Sequence, residues 1–201
     1  DDLPMWGVSL VVLSQQLVLI FAVVISARAF GFSLQKDFLF QTKRSDVGIG
    51  LCYGVAAQLL VVPFVTYPFV WIFDIDTDRI SEPARELSDK ATSPLGVIAI
   101  IFTVGLLAPV AEELFFRGLL YGSIRKRGDS AKSQKVIVWT SVIISSAIFS
   151  AIHFQLLLFP ALFVVGMIFA LIYERSQRLA SAIWAHVGFN ATTLFSLLVL
   201  D

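Results

Sequence analysis

From Val136 to Tyr173 the chain carries not one Asp, Glu, Lys or Arg. A stretch this long and apolar takes lipid as its solvent, and lipid leaves few folds open. With no water to satisfy backbone N–H and C=O groups, a spanning segment must be a helix or part of a closed barrel. About 20 residues at 1.5 Å each cross the bilayer core. The run is too long for one crossing and fits two, with His153-Phe154-Gln155 as the turn. Leu3–Ala27, Val47–Phe73 and Leu179–Leu200 are further uncharged runs of spanning length. So is Ala91–Ala111, whose apolar character resumes through Tyr121 after a pair of acids. Pro63 and Pro68 should kink the second run or end it early, and Gly105 and Pro109 should bend the third. The expected fold is all-α: a polytopic transmembrane bundle of about six spanning helices, with residues 1–201 forming a single integral membrane domain.

Composition agrees. The chain is 57% hydrophobic and 15% charged, where a soluble domain carries about 25% charged residues. A soluble protein of 201 residues could not bury so much apolar surface. Zero net charge gives no basic footprint for nucleic acid. Cys52 is the single cysteine; it has no internal disulfide partner and reads as packing. No basic stretch precedes the first run, so it reads as a span rather than a signal peptide.

Charges between the runs predict orientation. Arg28, Lys36, Lys43 and Arg44 fall in the first connection. Arg125, Lys126, Arg127, Lys132 and Lys135 fall in the third, and Arg175 and Arg178 in the fifth. Eleven bases thus share one side, against Arg79, Arg85 and Lys90 on the other, where Asp74, Asp76, Asp78, Glu82, Glu86 and Asp89 dilute them. The positive-inside rule puts the basic connections in the cytoplasm, of a cell (inner) membrane, and both termini outside. Asp74–Lys90 reads as a solvated outer linker, with a lid or partner surface as its sharper alternative.

Ionisable groups inside the spans are costly, on the order of 2.5–3.5 kcal/mol each, and are functional candidates by default. They fall in three clusters: Glu112, Glu113 and Arg117; His153; and His186 with Asn190. Glu113 and Arg117 stand at i, i+4 in the favourable acid-before-base order. Neighbouring Glu112 points about 100° away, free to face a cavity and act as a general base toward water. The bland alternative is that these groups only hold helices together, which leaves Glu112 unexplained. His153 closes a span, where a histidine is often merely interfacial. His186 and Asn190 share one helical face, and amide or imidazole glue between membrane helices contributes only about 0.6 kcal/mol. Together an acid, two imidazoles and an amide supply a base, a partner to orient water and donors for an oxyanion. Ser145, Ser146 and Ser150 read as small helix-contact residues. The same acids and histidines suit zinc, but no HExxH spacing is present; no cofactor is expected, with a divalent metal such as zinc as the lesser alternative. Straight, untilted helices counted from the basic side put Glu112 at roughly 18 Å depth, His186 at roughly 10 Å and His153 at roughly 25 Å, so tilt, the Pro109 bend or other helix boundaries must close the gap for all three to meet.

Glu112-Glu113-Leu-Phe-Phe-Arg117 resembles the EExxxR motif of the CPBP intramembrane proteases, also called the CAAX-protease and bacteriocin-processing (ABI) family. Phe149-Ser-Ala-Ile-His153 resembles its FxxxH motif, and His186-Val-Gly-Phe-Asn190 its HxxxN motif. The resemblance covers about residues 95–196; the first two helices carry no matching motif. It implies an intramembrane endopeptidase in which Glu112 activates water with help from His153. His186 and Asn190 would form the oxyanion site, and Glu113 and Arg117 would support the geometry. The implied partners are membrane lipids and a peptide or lipid-modified protein substrate. Three rivals are a non-catalytic scaffold or binding subunit with a membrane-protein partner, a proton-coupled transporter, and a metal-dependent peptidase. No internal symmetry of the transporter kind is visible.

Overall fold

Pro63 and Pro109 each stand two residues beyond a widened helical turn, Ala57–Val61 and Thr103–Leu107. A proline has no N–H to give, and its ring strikes the carbonyl one turn back. A π turn, bonded i to i+5, absorbs that conflict without ending the helix. The two prolines therefore neither stop their spans nor force an irregular break.

The computed structural model describes residues 5–31, 33, 36, 39, 41–76, 78–126 and 131–200. Leu3 and Pro4 of the first run, Thr77 and Arg127 lie outside them, and of Lys132 only the backbone is described. Seven helices follow in chain order: α1 (Met5–Phe30), α2 (Arg44–Phe73), α3 (Asp78–Asp89), α4 (Pro94–Arg125), α5 (Ala131–Ala151), α6 (Phe159–Ser176) and α7 (Leu179–Leu200). Among the described residues there is no strand, and six helices are long and apolar enough to cross a membrane, all but α3. The expected bundle is observed. The uncharged 136–173 stretch splits where it should: α5 stops at Ala151, Phe154 adopts a left-handed φ of 54°, and α6 begins at Phe159. The Asp74–Lys90 connection, for which no helix was expected, holds α3.

Lipid-facing side chains confirm which surfaces are outward. Leu10, Val11, Leu17, Val18 and Phe21 of α1 are exposed, as are Phe64, Trp71 and Ile72 of α2. Inside, two cores share α6 and α7. Tyr121, Val142, Ala170, Tyr173, Leu179, Ala182 and Ile183 form one; Ala57, Val165, Phe169 and Ala185 form the other.

Membrane helices gain no hydrophobic drive from packing on each other, so close approach through small residues does that work. In α2 and α7 the backbones nearly touch. A Cβ built on Gly54 would lie 1.9 Å from the Ala185 carbonyl oxygen, and one on Gly188 would lie 2.7 Å from that of Leu51. Charge locks the same pair at the basic end. Asp46 accepts from Arg178 Nη2 (2.7 Å), Arg178 Nε (2.9 Å), Ser181 Oγ (2.9 Å) and the Lys43 N–H (2.7 Å). This clasp fixes α7 against α2, and α7 carries two of the candidate residues.

Gly54→Leu should therefore be severe, costing about 3 kcal/mol or more through overpacking. Gly48, whose added Cβ would meet nothing within 4 Å, serves as the control: Gly48→Ala should change stability by no more than about 1 kcal/mol. Thermal unfolding of both variants in detergent checks the contrast.

Candidate active site

The widened turn before Pro109 decides where the acids point. Its Ala108 N–H bonds to the Thr103 carbonyl, so the same register assigns the Val104 carbonyl to residue 109, a proline without an N–H. Asn190 of α7 supplies the missing donor: its Nδ2 lies 2.8 Å from Val104 O. This bond pins α7 to α4 just above the glutamates. A second widened stretch, Leu114–Tyr121, follows them immediately. Glu112 (6% exposed) and Glu113 (0%) are thus held on a short α-helical segment, Ala108–Glu113, between two π stretches.

Glu113 is the hub. Its Oε1 accepts from Arg117 Nη1 at 2.8 Å and from His186 Nδ1 at 2.9 Å. Arg117 is itself fully buried, and its Nη2 donates to the Gly166 carbonyl at 3.0 Å. Its guanidinium carbon sits 4.8 Å from the Phe149 ring centre and 5.6 Å from that of Phe169. Aromatic faces favour a cation, most of all when water is excluded. The i, i+4 pair expected from spacing is present, and α6 completes its environment.

His186 (3% exposed) links the two glutamates. A carboxylate can only accept, so the proton between His186 and Glu113 resides on Nδ1. That leaves Nε2 facing Glu112 Oε2 at 3.9 Å. The separation exceeds a direct hydrogen bond and suits a bridging water. Among the described residues Glu112 Oε2 has no hydrogen-bond partner, and Oε1 has a single distant one, Gln16 Nε2 at 3.5 Å. Buried polar atoms in this state call for water or a ligand as donor.

Glu112, Glu113, Arg117 and His186 form one connected group. Asn190 borders it through Val104. His153 stands apart: half-buried in the turn after α5, it donates Nδ1–H to the Phe149 carbonyl at 2.7 Å. The Phe149 ring separates the two imidazoles, 4.8 Å from His153 and 5.6 Å from His186. His186 is the imidazole whose Nε2 lies 3.9 Å from Glu112 Oε2. The depth argument also changes. Arg125 lies beyond the layer where Tyr121 packs with Leu179. Counted from that layer, Glu112 is roughly 13 Å deep and His186 roughly 10 Å, close enough to meet. As for metal ligands, no group of three His, Cys, Asp or Glu suited to hold an ion is found among the described residues.

Gln16 was not anticipated. It is 2% exposed, and with Gly7 and Val23 it completes the fully buried positions of α1 among the described side chains. Its only sequence signal is that Gln15-Gln16 interrupts an otherwise apolar run.

Fold and site together define a polytopic membrane protein with a buried two-glutamate, one-histidine centre on α4 and α7. Residues 94–192, which hold all three motifs, match the model for Type II CAAX prenyl endopeptidase Rce1-like proteins. Through that stretch the chain is similar to the Rce1-like family. It is 33% identical over 99 residues to the membrane-embedded CAAX protease MroQ of Staphylococcus aureus, a match covering 49% of this chain and 39% of MroQ. It is 24% identical over 167 residues to YdiL of Bacillus subtilis, covering 79% of this chain and 61% of YdiL. An uncharacterized 24.3 kDa protein of Escherichia coli is 35% identical over 101 residues, covering 49% of this chain and 43% of that protein. The matches thus span less than two thirds of each relative. No solved structure matches.

Removing one partner of a buried ion pair strands the other, at about 3–5 kcal/mol. Arg117→Met should destabilise by that amount, and adding Glu113→Gln should recover part of the loss. Unfolding titrations of wild type, single and double variants in mixed micelles measure the coupling. Equal stability of wild type and Arg117→Met would refute the hub.

Proposed function

We propose that the chain is an intramembrane endopeptidase that hydrolyses peptide bonds in or near the bilayer with water activated by Glu112. The observation that carries this reading is the 3.9 Å separation of Glu112 Oε2 and His186 Nε2, with Glu113 holding the far side of the ring. Nucleophile, base and orienting group recur in this order across hydrolases, with a third group fixing the imidazole.

In this reading a water donates one O–H to Glu112 Oε2 and the other to the lone pair on His186 Nε2. Glu112 takes the first proton as the water oxygen bonds to the scissile carbonyl carbon. The carbonyl π pair moves to oxygen, giving an oxyanion. The second N–H of Asn190, free of the Val104 bond, is the proposed donor to it. Collapse breaks the C–N bond, and the proton held by Glu112 passes to the leaving amine. His153 lies at the edge of this scheme, with Nδ1 engaged and Nε2 kept for the departing group. Glu113 and Arg117 hold geometry and do not exchange protons. No step requires a metal.

The family description and the name of MroQ both refer to CAAX substrates. By that analogy the substrate is a peptide or lipid-modified protein whose tail lies in the bilayer. The basic connections face the cytoplasm in this reading, as one integral membrane domain.

Purified wild type and Glu112→Ala should be compared on a fluorogenic, lipid-modified peptide panel, each with and without chelator. Cleavage by wild type should fall by at least about 10²-fold in Glu112→Ala, the scale of a lost general base, and should survive chelation. Loss on chelation with rescue by zinc would replace this reading with a metal-dependent one. A folded wild type that cleaves nothing would favour a non-catalytic role in a membrane complex.

A further inference from the structure

We infer that Gln16 is a positioning residue: its side-chain amide holds Glu112 Oε1 so that Oε2 is presented to His186. The inference rests on the reading of Glu112 as the base. The first helix thereby contributes to a centre whose three sequence motifs all lie elsewhere.

The position of Gln16 is selective. Gln15 and Gln16 are adjacent amides in the same lipid-grade run, yet Gln15 is exposed and Gln16 is buried. An amide costs free energy in hydrocarbon unless its groups are met. Gln16 Nε2 reaches Glu112 Oε1 at 3.5 Å, across 96 residues of sequence. This is the long end of hydrogen-bond reach, and catalytic hydrogen bonds are often loose before substrate binds. Helix α1 packs directly on the Glu112-bearing segment of α4 and on the π stretch that follows.

A purely structural amide would have both ends satisfied by neighbouring helices. Gln16 does not: its Oε1 is buried without a partner, like Glu112 Oε2. Its amide donor reaches one oxygen of the carboxylate, and its own acceptor is left open. Holding Oε1 also removes a rotational choice. With Glu113 fixed by Arg117 and His186, Glu112 has only Gln16 as a side-chain hydrogen-bond donor among the described residues. The carboxylate plane of Glu112 therefore depends on helix α1.

The test uses Gln16→Leu, similar in size and without the amide, Gln16→Met should the first fail to fold, and Gln15→Leu as control. The carboxyl stretching band of Glu112 is isolated by infrared difference against Glu112→Gln in each background. The band should move in Gln16→Leu and stay in place in Gln15→Leu. On a cleaved peptide, Gln16→Leu should lower kcat about tenfold with KM unchanged, because ground-state binding is not touched. An unmoved band, or a moved band with unchanged kcat, overturns the inference. A wild type that cleaves nothing while the band moves in Gln16→Leu alone defeats the proteolytic reading and leaves the hold of Gln16 on Glu112 standing.

Discussion

Glu113 carries the arrangement. One oxygen of one carboxylate, fully buried, accepts a hydrogen bond from Arg117 and another from His186. In water each bond would trade against hydration for about 1 kcal/mol. In the bundle there is no such trade, and an unmet charge is the alternative. The hub therefore couples three helices: α4 supplies Glu113 and Arg117, α7 supplies His186, and α6 supplies the Gly166 carbonyl and the Phe169 face. Displacing any one of them strands a charge, so the three behave as a unit.

The prolines and widened turns serve the same end. Pro109 frees a carbonyl in the middle of a spanning helix, a defect that lipid would punish. Asn190 repairs it from across the bundle. The repair sets the height of α7 relative to α4, and that height sets whether His186 meets Glu112 and Glu113. The Gly54 and Gly188 contacts then fix the lateral approach, and the Asp46–Arg178 clasp fixes the end. Local strain is thereby converted into long-range register.

Much of this was legible in the sequence, for reasons that differ by residue. The six spans follow from uncharged runs, because lipid enforces helices without help from neighbours. The Glu113–Arg117 pair follows from i, i+4 spacing, which is local geometry. The Glu113–His186 bond does not, since it depends on where α4 and α7 begin relative to each other. Loop charges mark the membrane edge only coarsely: Arg125 still packs on Glu174 beyond the Tyr121 layer, and counting from it displaced Glu112 by several ångströms. Helix α3 was missed because charged residues in a connection look alike whether helical or not. Gln16 carried no periodic signal. An isolated amide in an apolar run names neither its partner nor its face.

Two adjacent glutamates in one helix invite the assumption that they are equivalent. The packing gives them different partners. Glu113 has two strong donors on one oxygen and no exposure, and its role is spent on holding Arg117 and the His186 ring. Glu112 has one weak donor and faces His186 Nε2 at 3.9 Å, while each glutamate keeps a buried Oε2 with no hydrogen-bond partner among the described residues. The roughly 100° between neighbouring side chains permits the division, because one acid turns to Arg117 and the other to the space shared with α1. Glu113 holds the Nδ1 side of the His186 ring, and that hold turns Nε2 toward Glu112.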